Sequence, residues 1–193
     1  MKLHSCLLTS LVAGAALLPQ QAEAQTIVRS SALLAQEDGR GGFNASFGGS
    51  YAASSMGSSF SERFTFAHGI AFDAAASVTS SYLNNPATKD LLITGISLYR
   101  YDPATMAILG TAITGVNQGG FGTQPLDSWA LAGFDLAGGD YALEVDGRVL
   151  GAGGGAFGGD LTIAPIPEPQ AWHMLLGGLG LAGLAACRRR LRT

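Results

Sequence analysis

The segment from residue 25 to residue 166 contains no cysteine and a single histidine, His68. The two cysteines of the chain, Cys6 and Cys187, lie near its two ends. A thiol nucleophile, a cysteine metal site and a stabilising disulfide are therefore excluded from this segment, whose stability has to come from a hydrophobic core. A lone histidine beside an apolar run is usually structural, and without it no Ser-His-Asp arrangement can be built.

Basic side chains are also scarce in the same segment. Residues 25–166 contain twelve Asp and Glu against six Lys and Arg, a formal charge of −6, although the whole chain carries only −3. Because nucleic-acid binding requires a basic surface that neutralises phosphates, nucleic acid is excluded as a partner.

No stretch of residues 25–166 has the length and the 3.6-residue apolar period of an amphipathic helix. Short apolar runs separated by turn residues are present instead. Residues 60–66 alternate apolar and polar, which predicts a half-buried strand with Phe60, Phe64 and Phe66 facing the core. Residues 90–102 predict the strongest core strand. The pattern predicts an all-β fold, an antiparallel sandwich of jelly-roll or immunoglobulin-like type.

Glycine-rich stretches predict the connections between strands. Residues 37–59 are rich in Gly and Ser and predict a long loop, and residues 151–159 predict a second flexible connection. Asp146 and Gly147 lie between two alternating runs, which predicts a hairpin with a type I′ turn, because both central residues of that turn need positive φ.

The candidates for chemistry are few. Glu144 and Asp146 alternate with apolar neighbours, which predicts a solvated strand face rather than the acid pair of a glycoside hydrolase. Gly-Gly-Asp at residues 138–140 and 158–160 could contribute oxygen ligands to calcium, but neither follows the Asp-x-Asp-x-Asp-Gly spacing. We therefore predict no catalytic residue, no metal ligand, no cofactor, and a protein that is not an enzyme.

The amino terminus has the features of a secretory signal. Lys2 precedes a nearly continuous apolar run over residues 6–18, and Ala22 and Ala24 are the small residues that a signal peptidase reads. The pattern predicts a signal peptide over residues 1–24, cleaved after Ala24 once the secretion machinery has engaged it. The exported domain then spans residues 25–166.

The carboxy-terminal segment, residues 167–193, combines three features in order. Pro167, Glu168 and Pro169 predict an extended peptide, because proline fixes φ and biases the preceding residue away from helix. Residues 172–187 predict a short transmembrane helix of about 24 Å, which long flanking side chains can extend across a bilayer core of about 30 Å. A basic cluster follows and predicts a cytoplasmic end: Arg188, Arg189, Arg190 and Arg192.

This order of features resembles the PEP-CTERM sorting signal of exported bacterial proteins. The resemblance covers residues 167–193 and includes the triplet, the aromatic Trp172, a Gly- and Leu-rich span and the terminal arginines. It implies an exosortase, an integral membrane cysteine transpeptidase, that cuts near the triplet in Gram-negative bacteria that make exopolysaccharide and biofilm. Phe60, Glu62 and Phe64 are more weakly similar to the FxDxF class of such proteins, a class with no assigned activity, and this resemblance implies a β fold.

The sequence thus predicts an exported, non-enzymatic surface or extracellular-matrix protein. It is expected to cross the inner membrane, to be anchored there transiently, to be processed by an exosortase and to associate with extracellular polysaccharide. The alternative is a carbohydrate- or calcium-binding sandwich module. Four aromatic side chains could then stack on sugars: Tyr99, Tyr101, Trp129 and Tyr141.

Overall fold

The structure, a computed structural model, describes residues 25–119, 127–166, 174–179 and 181. The predicted signal peptide with Ala22 and Ala24 lies outside the described residues. So do the two polar parts of the carboxy-terminal segment, namely Pro167, Glu168, Pro169, Arg188, Arg189, Arg190 and Arg192.

Eleven strands form the domain within the described residues. In chain order they are β1 (Thr26–Ala32), β2 (Gln36–Glu37), β3 (Phe43–Tyr51), β4 (Ser59–His68), β5 (Phe72–Ser80), β6 (Leu91–Tyr101), β7 (Ile108–Thr114), β8 (Val116–Asn117), β9 (Ser128–Leu136), β10 (Gly139–Val149) and β11 (Gly155–Pro165). A 3-10 turn at Ala53–Ser55 lies between β3 and β4.

The strands form two sheets, and apolar side chains from both sheets share one core. Sheet A has the order β1-β4-β10-β6-β7, and sheet B has the order β2-β3-β11-β5-β9-β8. The pairing of β1 with β4 is parallel and the other described pairings are antiparallel. The pairs β3–β11, β4–β10, β5–β9 and β6–β7 nest and alternate between the sheets, which is typical of a jelly roll. The prediction of a β-sheet domain is confirmed, with two sheets that are antiparallel except at the β1–β4 pair.

The core contains the side chains that the alternation in β4 predicts. Phe60, Phe64 and Phe66 are buried, and the ring of Phe60 stacks on Phe157 of the opposite sheet with 5.5 Å between centroids. The predicted strand at residues 90–102 is also confirmed, because β6 buries Leu91, Ile93, Ile96 and Leu98.

The prediction of a loop over residues 37–59 is wrong for β3. Gly49 lies in this strand, where an added Cβ would be 2.2 Å from the Glu62 carboxylate and 2.7 Å from Phe157. The glycine therefore permits close packing instead of breaking the strand. The period-two pattern is visible once the glycines are read as strand residues, since one face buries Phe43, Ala45, Phe47 and Tyr51.

The predicted turn at Asp146 and Gly147 is also wrong. β10 continues through both residues, and Asp146 pairs with Ser61 on one side and Gly95 on the other. A Cβ at Gly147 would be 2.4 Å from the ring of Phe60, so this glycine makes room for a core aromatic. The register to β6 shifts at this point, which is a β-bulge and not a chain reversal.

The second glycine-rich stretch is only partly a connection. Residues 151–154 form a turn, but β11 begins at Gly155 and pairs with β3 and β5 along its length. The predicted last strand therefore starts five residues earlier than its apolar run at residues 160–166 indicates.

Candidate functional site

The carboxy-terminal segment begins where a central strand ends. β11 is paired with β3 as far as Ile163 and with β5 as far as Pro165, and the amide of Ile166 donates to the carbonyl of Ala71 at 3.0 Å. Pro165 is also packed, since a Cβ at Gly42 would lie 3.0 Å from its Cδ. No free linker therefore separates the folded sheet from residue 167.

The first and last described residues of the domain, Gln25 and Ile166, lie at opposite ends of the sandwich. Gln25 accepts a hydrogen bond from the amide of Ser59 at the start of β4, whereas Ile166 lies beside the turn that follows β4. Ten residues of strand separate these positions, a distance of roughly 30 Å. We call the end with the turns at residues 38–42, 69–71, 102–107 and 137–138 the exit end. The distal end has the turns at residues 52–58, 81–90 and 150–154, and the described residues of the connection between β8 and β9.

The described part of the predicted transmembrane segment is helical at residues 174–179 and 181. Its large side chains are apolar and exposed: Met174, Leu175, Leu176, Leu179 and Leu181. Among the described residues, no helix reaches the length and apolarity that a membrane crossing requires.

Glu144 and Asp146, predicted to lie on a solvated strand face, are on the outer face of sheet A but are partly buried there. One oxygen of Glu144 accepts from the Tyr99 hydroxyl at 2.5 Å and from Nε and Nη2 of Arg63 at 3.1 and 3.0 Å. Burial alone would raise the pKa of Glu144, but these hydrogen bonds and the Arg63 charge outweigh it and leave that pKa lowered. Burial and the Glu144 charge raise the pKa of Asp146, against a hydrogen bond with Ser61. Glu144 is therefore the acceptor in a cross-strand network.

A carboxylate that the sequence analysis did not place in the core is Glu62. It is buried and accepts from the Tyr51 hydroxyl at 2.8 Å, while the Arg29 guanidinium lies 4.8 Å from the centre of the Tyr51 ring. Burial, followed by the hydrogen bond to Glu62 and its charge, raises the pKa of Tyr51. The signal was present, because a period of two puts Glu62 on the same face as Phe60 and Phe64.

Asp90 and Asp127 are two further buried carboxylates that the sequence pattern does not predict. Asp90 accepts from the amides of Leu83 and Asn85 and so fixes the turn before β6. Asp127 accepts from the Ser80 hydroxyl at 2.7 Å and the Ile93 amide at 2.6 Å, and thereby links the two sheets. Each comes directly before a strand, Asp90 before β6 and Asp127 before β9. Nothing in the sequence distinguishes them from surface aspartates.

His68 packs edge-on against Phe72, with 5.0 Å between ring centroids, and its Nε2 is buried without a hydrogen-bond partner. His68 is half-buried and lies at the edge of the aromatic core, in contact with the rings of Phe43 and Phe72. The nearby cavity of about 420 Å³ is lined mostly by small side chains and backbone of β1, β4 and the turn at residues 38–42.

The proposed sugar-stacking faces are mostly not accessible. Tyr99 and Tyr141 are buried, and Trp129 is half-buried with its Nε1 donating to Asp127 at 3.2 Å. Tyr101 is half-buried. In the part of the chain that the structure describes, no three His, Cys, Asp or Glu side chains converge, so nothing there favours the calcium alternative.

One comparison with known proteins bears on the carboxy-terminal segment. A family model for the PEP-CTERM protein-sorting motif matches residues 165–190. No curated protein matches the chain.

Two solved structures resemble the chain weakly. The pre-peptidase C-terminal domain of collagenase from Bacillus anthracis is 12% identical, with 72% of this chain and 98% of that chain covered and a TM-score of 0.33. The periplasmic lysozyme inhibitor PliG of g-type lysozyme from Aeromonas hydrophila is 14% identical, with 72% and 97% covered and a TM-score of 0.32. Neither likeness bears on function.

The family match starts at Pro165, the last residue of β11, and includes the predicted triplet, apolar span and first arginines. The prediction of a sorting signal is confirmed, because the residues on which it was based are those that the family model matches. The chain is a protein with a PEP-CTERM sorting motif, and this motif implies an exosortase as its processing partner.

Proposed function

We propose that the chain is a non-enzymatic protein of the cell surface or extracellular matrix of a Gram-negative bacterium. A signal peptide over residues 1–24 directs it across the inner membrane, and the carboxy-terminal segment anchors it there until an exosortase cuts near Pro167–Pro169. The observation that carries this proposal is the sorting motif at residues 165–190, attached directly to the last strand of a folded domain.

The position of the motif supports cleavage after the domain has folded. β11 is a central strand of sheet B, with Leu161 and Ile163 fully buried. A cut within β11 would remove part of the core, whereas a cut beyond Ile166 leaves every ladder bond of the domain intact. The released product is then a complete sandwich with a short carboxy-terminal extension.

The polar clusters of the domain favour a non-catalytic role. Glu62, Asp90, Asp127 and Glu144 each accept hydrogen bonds that connect strands or fix turns. A general acid or base needs a proton that it can exchange with a substrate in a cleft. These carboxylates are used instead to hold the sheets together.

Intact mass of the secreted form tests the proposal directly. We expect a product that begins at Gln25 and ends between residues 167 and 173. Glu168→Ala, or deletion of residues 188–193, should leave an unprocessed membrane-bound form, while the matched control Glu37→Ala, an exposed residue of β2, should be processed normally. Normal release of both altered forms would refute the sorting function.

Polysaccharide binding is the second candidate, and one surface favours it. The outer face of sheet B carries short hydrogen-bonding side chains in register, with Ser46 donating to Asp160 at 2.7 Å and Thr162 to Asn44 at 2.8 Å. Binding to the cell's own exopolysaccharide should be lost in Ser77→Arg, which blocks this face. It should persist in Ser30→Arg on β1 of the other sheet.

A further inference from the structure

The exit end of the sandwich is tied closely to the apolar helix. Seven residues, and therefore eight Cα–Cα steps, separate Ile166, the last described residue of the domain, from Met174, the first described residue of the helix. A fully extended chain of that length spans at most about 28 Å. If the helix is in the bilayer, as the proposed function requires, the exit end lies near the membrane surface throughout the anchored stage.

Large apolar side chains are exposed at this end. Ile70 lies in the turn beside Ile166, with an exposed fraction of 45%, and Phe134 lies two residues before the end of β9, with 72%. The hairpin between β6 and β7 contributes Met106 with 46%, Ile108 with 55% and Leu109 with 45%. We call these five residues the apolar rim. Among the described residues, the distal turns and the adjoining β8 expose three large apolar side chains, Met56, Leu83 and Val116.

The hairpin tip of the apolar rim is ordered although its apolar side chains are exposed. Asp102 accepts from the Ala104 amide at 2.9 Å and from the Thr105 hydroxyl at 2.9 Å, and its carbonyl accepts from the Met106 amide at 2.7 Å. Met106 has a φ of +59°, a left-handed conformation that glycine or asparagine adopts more readily. A methionine here costs backbone energy without contributing to the core, which indicates a role at the surface.

We propose that the apolar rim inserts into the interfacial region of the lipid bilayer while the chain is anchored. This inference rests on the proposed function and adds an orientation to it. In this orientation the carboxy-terminal end of β11 faces the membrane. Residue 167 is then kept at a constant distance from the bilayer surface, where a membrane-embedded protease can reach it. Because the domain carries a charge of −6, the attraction is apolar and not electrostatic, so added salt should not weaken it.

Fluorescence quenching by lipid tests the orientation. The chain that begins at Gln25 and ends at Thr193, with Cys187 replaced by serine, is reconstituted in vesicles of phosphatidylcholine and phosphatidylglycerol. An environment-sensitive dye is attached to Ala104→Cys at the exit end or to Ala87→Cys at the distal end. Both alanines are exposed, and in both turns the alanine amide donates to a side-chain oxygen of the residue two before it.

We expect shallow nitroxide lipids to quench the dye at position 104 several-fold more than the dye at position 87. Replacing Met106, Ile108, Leu109 and Phe134 by serine should abolish this difference. Replacing Met56 and Leu83 by serine should leave it unchanged. Equal quenching at the two positions would overturn the proposal. So would stronger quenching at position 104 that appears only when an exosortase is added.

The readout does not depend on cleavage. A chain that shows the quenching difference but is never processed in cells would refute the sorting function and leave the lipid contact standing. Normal processing in cells together with equal quenching at the two positions would support the sorting function and refute the lipid contact.

Discussion

Glu144 and Asp146 lie two residues apart on the same face of β10, yet their pKa values shift in opposite directions. The Tyr99 and Arg63 hydrogen bonds outweigh burial at Glu144 and lower its pKa, whereas burial raises the pKa of Asp146. A lowered carboxyl pKa contributes stability that is present at neutral pH and is lost as the pH falls through the folded-state pKa. A raised carboxyl pKa has the opposite effect, because ionisation on raising the pH opposes folding.

We predict that Glu144→Gln destabilises the released domain at pH 7 by about 1 kcal/mol, the net contribution of a typical hydrogen bond. Asp146→Asn should stabilise it, on the order of 0.5 kcal/mol. Both differences should disappear as the pH is lowered below the ordinary carboxyl range. Urea denaturation between pH 3 and pH 8 measures the change in unfolding free energy that each substitution causes. Changes of the same sign at neutral pH would contradict the opposite pKa shifts of Glu144 and Asp146.

The buried pair of Glu62 and Tyr51 leads to a second prediction at the residue scale. Tyr51→Phe removes the donor and leaves a buried carboxylate unpaired, which should cost about 2 kcal/mol. Glu62→Gln keeps a hydrogen-bond acceptor and should cost less. Urea denaturation of the two variants gives the unfolding free energy that each one loses. A smaller loss for Tyr51→Phe than for Glu62→Gln would show that the hydrogen bond is unimportant.

At the scale of the elements, β3 depends on glycine for its contacts with β11 and Glu62. We predict that Gly49→Ala destabilises the domain by about 2 kcal/mol, because the added methyl would overlap the Glu62 carboxylate and the ring of Phe157. Gly95→Ala is the matched control, since a Cβ at this position in β6 meets no atom within 4 Å. Its effect should stay within about 0.5 kcal/mol, as chemical denaturation can show. Equal effects of the two changes would mean that β3 is not packed as described.

The same elements show where sequence reasoning succeeds and where it fails. β4 and β6 are predictable because long side chains alternate on one face of a strand. The extent of β3 and β11 is not predictable in this way. Their glycines lie where two backbones or a core side chain approach closely, and composition alone does not distinguish such glycines from loop glycines. Asp146-Gly147 has the sequence of a turn but lies in a strand, since the packing of Phe60 against Gly147 overrides the local preference.

The sorting motif was readable from sequence because its recognition depends on chemical order along the chain: a proline-rich triplet, an apolar span and arginines. Its relation to the fold was not readable, because only strand pairing shows that β11 is central and that Gln25 and Ile166 lie at opposite ends of the sandwich. With the anchoring proposed above, that arrangement directs residue 25 away from the membrane.

At the scale of the whole molecule, β11 sets a limit on where the chain can be cut. We predict that a chain ending at Ile166 retains the fold, whereas a chain ending at Asp160 does not fold. The shorter chain loses Leu161 and Ile163, which are fully buried and contribute about 1.5–3 kcal/mol each. It also loses the last ladder bonds to β3 and β5, and a domain of this size has only about 5–15 kcal/mol in total.

Circular dichroism with urea titration distinguishes the two truncated chains, and limited proteolysis gives an independent readout of the same difference. The chain ending at Ile166 should unfold cooperatively, and the chain ending at Asp160 should show no cooperative transition and rapid digestion. A cooperative transition in the shorter chain would mean that β11 is dispensable beyond Asp160. The processing enzyme would then be free to cut inside the sheet, and the position of the motif directly after β11 would no longer follow from the need to release an intact domain.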